Sequence, residues 1–355
     1  MQLYWQPPGQ GRGLVDSQYL FPLEGAEVPA GLTLPPPPEI AQLQREPEQG
    51  AGAVAPDAGE RPETTTDLGA RPAGDFTPLA AEVLWSYGVC GADDGQLSSP
   101  RGVAVDARTG NVFIADSGNA RIVRLDADGN LLGTWGEAGE GLDQFIEPAD
   151  LVVEPDGSVL VLDAMAQRLQ RFTADGQFLA SFGSDLTLYR PRGLAIDPAG
   201  QLAVADTGGV RILRLDPAGT LLSQLGGPES DLAKGQPTDA ALSPGGDLYF
   251  VEAETATVTL VAADGRMDRW TGPARASTID GPHLAWLPAG GLAVTDPEGQ
   301  RVLLFTPDGQ PVGQFGTEAG LAKPVGVAAN SGADGFLVIA DSQACRVTAF
   351  KVIFE

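Results

Sequence analysis

From residue 100 onward the chain repeats itself. PRGVAVDARTGNVFIADSGNARIVRLDADGNLLGTWG (100–136) returns as PADLVVEPDGSVLVLDAMAQRLQRFTADGQFLASFG (148–183) and as PRGLAIDPAGQLAVADTGGVRILRLDPAGTLLSQLG (191–226). Weaker copies open at Pro237 and Pro282, and a sixth opens at Pro324, so that starts fall 42 to 48 residues apart. A unit of this size cannot bury its own apolar surface, so each copy must pack against its neighbours.

Each copy divides into four short strands. The first two are unbroken apolar runs, such as Val103–Val105 and Val112–Ala115, as expected of strands covered on both faces. An Asp-Gly or Ala-Gly pair separates the third strand from the fourth: Asp128-Gly129, Asp175-Gly176, Ala218-Gly219, Asp264-Gly265 and Asp308-Gly309. Glycine there supplies the positive φ of a tight hairpin. The fourth strand is the most polar, as an outermost strand should be. First strands carry small residues (Gly102, Ala104, Gly193, Ala195, Ala240, Ala241, Gly326, Ala328), which suits strands converging on an axis. Four antiparallel strands at this period predict the blades of an all-β propeller.

The sixth copy lacks its Asp-Gly turn and fourth strand. EVLWSYG at 82–88 ends as LLGTWG (131–136) does, and it is expected to supply that strand. The prediction is a six-bladed β-propeller over residues 81–355, closed by an N-terminal strand. Closure removes two sheet edges that would otherwise invite aggregation. Residues 1–80, with PPPPE at 35–39 and EPEQGAGAVAPDAGERPE at 46–63, bury too little apolar surface to offset the entropy of ordering. They are expected to form a disordered or linker-like Pro-rich segment.

The formal net charge is −25, of which −7 falls in residues 1–80 and −18 in the remainder. Such a surface repels phosphate backbones and anionic lipid, so nucleic acid is not an expected partner. No apolar run has the length of a membrane span, and MQLYWQPPGQGRG lacks the pattern of a secretory signal.

ADSGNARI (115–122), with PRGVAVD before it and the Asp-Gly turn after it, resembles the NHL repeat. The likeness extends over roughly residues 81–355, close in copies one and three and poorest in copy four. It implies a six-bladed β-propeller serving as a protein-interaction module, as an RNA-binding module or, in related propellers, as an enzyme. RNA binding would need a basic upper face; Arg101 and Arg192 are opposed there by Asp150 and Asp239.

Asp116, Asp163, Asp206, Glu252, Asp296 and Asp341 recur at the end of the second strand, and Arg121, Arg168, Arg211, Arg301 and Arg346 at the start of the third. Copy four has Thr257 in place of the arginine and also Glu in place of Asp. That joint departure suggests that acid and base are structural partners across the loop. A catalytic group is not needed once per blade.

The residues just after the opening proline differ: Arg101, Asp150, Arg192, Asp239, His283 and Val325. They are expected to ring the mouth of the central channel. Variation there fits a ligand site on a symmetric scaffold, and it equally fits unconstrained surface positions. A partner protein or a small polar ligand is the expected occupant. Asp150 and Asp239 are suited to a hard cation such as Ca²⁺, and no other cofactor is expected. The resulting reading is a non-catalytic, monomeric binding module. The alternative is a metal-dependent lactonase- or esterase-like hydrolase working through Asp150 and Asp239. His283 is the one histidine of the chain, too few for a multi-histidine zinc centre.

Two cysteines remain. Cys90 follows the fourth strand formed by EVLWSYG, and Cys345 precedes the third strand of the same blade. Either they bond and clasp the ring, which implies an oxidising, extracytoplasmic or cell-surface setting, or they are free thiols.

Overall fold

The computed structural model describes residues 69–354 apart from 73, 231 and 331–334. Most of the predicted Pro-rich segment therefore lies outside the described residues. The remainder forms six four-stranded antiparallel sheets. Blade 1 is Pro100–Val105, Val112–Asp116, Arg121–Leu125 and Leu131–Trp135; blade 2 is Pro148–Val153, Val159–Asp163, Arg168–Phe172 and Phe178–Phe182. Blade 3 is Gly193–Ile196, Leu202–Asp206, Arg211–Leu215 and Leu221–Gly226; blade 4 is Pro237–Leu242, Leu248–Glu252, Thr257–Val261 and Met267–Thr271. Blade 5 is Leu284–Trp286, Leu292–Asp296, Arg301–Phe305 and Pro311–Phe315. Blade 6 takes Pro324–Ala329, Leu337–Asp341 and Arg346–Ile353 from the C-terminal end and Ala80–Tyr87 as its outer strand. The register of that closing pair runs from Ala80 opposite Ile353 to Tyr87 opposite Val347.

The second strands are buried at every position, because each sheet has a neighbour on both faces. Six apolar clusters result, one in each gap between consecutive blades. The gap between blades 6 and 1 is filled like the others, by Val338, Ala340 and Val347 against Val103, Ile114 and Val123, with Trp85 and Tyr87 alongside. Burying such side chains stabilises by about 1.5–3 kcal/mol each, so the ring is held by the gaps as much as by its hydrogen bonds.

Four of the fourth strands carry an aromatic ring set against a glycine of the next blade. Trp85, Trp135, Phe182 and Trp270 each lie against the glycine of the next blade's Asp-Gly or Ala-Gly turn; a Cβ on Gly129 would meet Trp85 at 2.6 Å. Gly129 also has φ +83°, so it is required twice over, by its backbone and by the ring beside it. The Trp85 indole N–H donates to the Ala127 carbonyl at 2.9 Å. This contact explains why EVLWSYG ends like the true blade endings.

Residues 71, 72 and 74–79 run along outer edges rather than away from the ring. Arg71 exchanges backbone hydrogen bonds with Arg269 and Thr271 of blade 4, and Thr77 and Leu79 with Gln314 of blade 5. Phe76 meets the Phe305 ring edge-on, centroids 5.2 Å apart. The chain thus covers two outer edges before it becomes the outer strand of blade 6.

Candidate functional site

First strands begin at what is here termed the upper face and descend to the lower one. At the upper face three of the five recurrent acid–arginine couples are joined by a direct hydrogen bond. Asp116 accepts from Arg121 Nε at 2.8 Å, Asp206 from Arg211 Nε at 2.7 Å and Asp296 from Arg301 Nε at 2.8 Å. Asp163 is 3.9 Å from Arg168 and is held mainly by the amides of Ile146 and Glu147. Asp341 accepts from the amides of Ala322, Lys323 and Ala344, while Arg346 reaches the Gly320 carbonyl. Glu252 accepts from Thr257 and finds its cation elsewhere, in Arg269 of the fourth strand at 3.1 Å. Every one of these acids is buried, and each also takes an amide from the loop leading into its own blade, such as Ser98 to Asp116 at 2.6 Å.

The cysteines are bonded, with sulfurs 2.11 Å apart and Cα atoms 4.9 Å apart. Cys345 occupies the left-handed corner (φ +50°) that Ala120, Gln167, Val210, Ala256 and Gln300 occupy in the other blades.

Five of the six candidate mouth residues do come together, closing the channel instead of ringing an open mouth, while Val325 is buried in the apolar gap between blades 6 and 1. Arg101 and Arg192 both donate to Glu147 Oε1, Arg192 at 2.8 Å. Arg101 Nε also lies 3.5 Å from Asp280, which Lys323 Nζ holds from the other side at 3.0 Å. Burial works against ionisation of Glu147, yet the two guanidinium groups hold it below the usual carboxylate range. The sequence reading missed Glu147 and Asp280 because both stand in the loops between copies.

Asp150 and Asp239 sit one residue further along their strands than Arg101, Arg192 and His283. Strand pairing puts Asp150 opposite Leu162 and Asp239 opposite Val251, the place that Gly193 and Gly326 take opposite Ala205 and Ala340. The carboxylates point across to neighbouring blades. Asp150 accepts from Leu151 N at 2.9 Å and Leu194 N at 2.7 Å, and Asp239 from Leu284 N at 2.9 Å. His283 Nδ1 lies 3.4 Å from Asp239 Oδ2. The three side chains place one ligand atom each within 4.8 Å of the others, and all are 4–6% exposed. Burial pushes Asp150 up to about 7. Burial and the charge of Asp150 push Asp239 well above the usual range. Burial, with Arg101 and Arg192 nearby, pushes His283 down to about 4, so its imidazole is neutral near pH 7.

The open part of the channel faces the other way. A cavity of about 540 Å³ is walled by the lower halves of all six first strands, among them Val103, Leu151, Ala240 and Leu284, with Asp106, Arg108 and Glu154 near its lower rim. The upper face is instead studded with large apolar side chains on its loops: Val89, Leu142, Ile146, Met165, Tyr189 and Ile279, each 41–62% exposed.

Residues 97–125 match the family model of the NHL repeat. The chain is similar to Protein brain tumor of Drosophila melanogaster, 31% identical over 142 residues, which is 39% of this chain and 14% of that protein. It is also similar to the E3 ubiquitin-protein ligase NHLRC1 of Homo sapiens, 29% identical over 112 residues, 32% of this chain and 28% of that one. The matched region thus spans less than a third of either relative. A solved gluconolactonase from Xanthomonas campestris superposes with a TM-score of 0.56 at 18% identity, over 80% of this chain and 99% of that one; the likeness is one of fold. Among the described residues no helix is long and apolar enough to cross a membrane. With the repeat matched in blade 1 and its pattern closing through six blades, the chain is a six-bladed β-propeller carrying the NHL repeat.

Proposed function

We propose that this propeller is a non-catalytic protein-binding module and that its partner sits on the upper face. The observation that carries the reading is the set of six exposed apolar side chains, Val89, Leu142, Ile146, Met165, Tyr189 and Ile279, gathered on loops of that face. Most of the other exposed large apolar side chains lie along the outer strands, so these six are the ones that loops present for an interaction. The partly buried ion pairs of Arg101, Glu147, Arg192, Asp280 and Lys323 lie beneath that surface. A relative named as a ubiquitin-protein ligase favours a protein partner over a small polar ligand, and the closed mouth does the same.

The test is photo-crosslinking of the full chain in its native cells. A benzophenone amino acid at Tyr189 is expected to capture a discrete protein that the same group at Asp128, on the lower face, does not. Capture is expected to vanish in a Leu142→Ser, Ile146→Ser double variant. Equal capture from both faces, or capture indifferent to the double variant, overturns the reading.

A metal-dependent lactonase- or esterase-like hydrolase is the second reading, favoured by the convergence of Asp150, Asp239 and His283. It requires a substrate to reach carboxylates that are 4–5% exposed. Lactone and ester turnover lost on Asp239→Asn would favour it over the binding module.

A further inference from the structure

We propose that Asp150, Asp239 and His283 form a buried metal site that ties blades 2, 4 and 5 together through one divalent transition ion of the Zn²⁺ class. The proposal begins with an atom out of place. Asp239 is 4% exposed and its Oδ2 is engaged by Leu284 N and His283, while its buried Oδ1 makes no well-formed hydrogen bond, the adjacent Ala240 amide being the one donor within reach. A buried carboxylate oxygen without a well-formed hydrogen bond is costly, and such groups are normally paired or bound to a metal.

The surroundings are shaped for these carboxylates. Asp150 Oδ1 lies where a Cβ on Gly102 would come within 2.4 Å, and Asp239 Oδ1 where a Cβ on Gly193 would come within 2.3 Å. Any side chain on either glycine would evict the acid beside it. Amide donors come from the following blade in each case, Leu194 for Asp150 and Leu284 for Asp239. Two carboxylates are thereby held with a ligand atom each within 4.8 Å of one another and of a His283 ring nitrogen, the spacing of groups that share one ion.

The donor set also selects the ion. Ca²⁺ takes six to eight oxygen ligands, and two carboxylates with an imidazole do not supply them. Two oxygens and one nitrogen suit Zn²⁺ and its first-row neighbours, with water completing the shell. His283 Nδ1 and Asp239 Oδ2 at 3.4 Å match two ligands of one tetrahedral ion, each about 2.0–2.1 Å from it. Burial on every side makes the role structural, so the site stands whether or not the upper face binds a protein.

The test is a Zn²⁺ titration of the chelator-stripped full chain by calorimetry and elemental analysis, with Co²⁺ as a spectroscopic substitute. One equivalent of Zn²⁺ is expected, with a rise of several degrees in melting temperature and a visible Co²⁺ absorption band. Asp239→Asn and His283→Gln are each expected to weaken Zn²⁺ binding at least tenfold, and the histidine variant to alter the Co²⁺ band. Absence of stoichiometric binding by the wild-type chain overturns the proposal. So does binding that both variants retain, which would place the ion on other acids, or stabilisation by Ca²⁺ but not by Zn²⁺.

Discussion

At the lower face Asp126 accepts from the amides of Asp128 and Asn130, two and four residues ahead, and Asp216 does the same with Ala218 and Thr220. At the upper face Asp116 accepts from Ser98, eighteen residues back, and Asp206 from Tyr189, seventeen back. The same side chain therefore does local work at one end of the ring and long-range work at the other. Lower acids shape a turn that could form in an isolated hairpin. Upper acids anchor the loop that brings the chain in from the previous blade, and they are buried among arginines while doing so. In blades 1 and 3 acids thus hold the backbone at both ends of the sheet.

The sharpest way to break this comparison is to remove one acid from each end. Asp116→Ala strips the acceptor from Ser98, Asn119 and Arg121 together and is expected to cost about 3–5 kcal/mol, as for breaking a buried pair. Asp126→Ala is expected to change stability far less, since water replaces the lost acceptor. Urea unfolding of the two variants measures both, and equal losses would erase the distinction.

Next in size is the clasp at the upper face. Reducing Cys90–Cys345, which spans 255 residues, is expected to cost about 2–4 kcal/mol, read as a lower melting temperature in reductant. Cys345→Ser should melt at that lower temperature with or without reductant. An unchanged melting temperature would mean that strand pairing alone closes the ring.

The smallest effect belongs to the lower face. Tyr249 donates its hydroxyl to the Pro307 carbonyl at 3.1 Å, and burial, with Asp247 nearby, pushes its ionisation up to about 12. A pKa raised on folding means that the folded chain holds the proton more tightly than the unfolded chain does. Its contribution is complete below the ordinary tyrosine value near 10 and is lost as pH rises through 12. Tyr249→Phe should flatten that alkaline limb of the stability curve and leave the neutral region nearly unchanged.

The fold was legible because its signals are local and repeated. The Asp-Gly turns, the small first-strand residues and the orphaned EVLWSYG each fix one part of a blade, and Trp85 lies where Trp135 lies in the next. The acid–arginine pairs were legible for the same reason, and copy four shows where that ends. Glu252 takes its cation from Arg269, on a strand where no other blade needs one. The site was only half legible. Arg101, Asp150, Arg192, Asp239 and His283 were identifiable as variable positions at one end of a repeat. The partners of the two arginines, Glu147 and Asp280, lie in loops outside the repeated template. The approach of Asp150 to Asp239 across blade 3 depends on Gly193, whose small size reads equally well as crowding at an axis.

The closing strand carries a consequence for the order of events during synthesis. Ala80–Tyr87 leaves the ribosome long before Arg346–Ile353, the strand it must pair with. At about 5–20 residues per second the wait is on the order of 10–50 s. Throughout that interval blades 1 to 5 can assemble, yet the flank of blade 1 that receives blade 6 stays uncovered. A pause or a premature stop within the last copy would strand an open arc with an apolar wall at each end. Timing, and not only sequence, then decides whether the newborn chain becomes a ring.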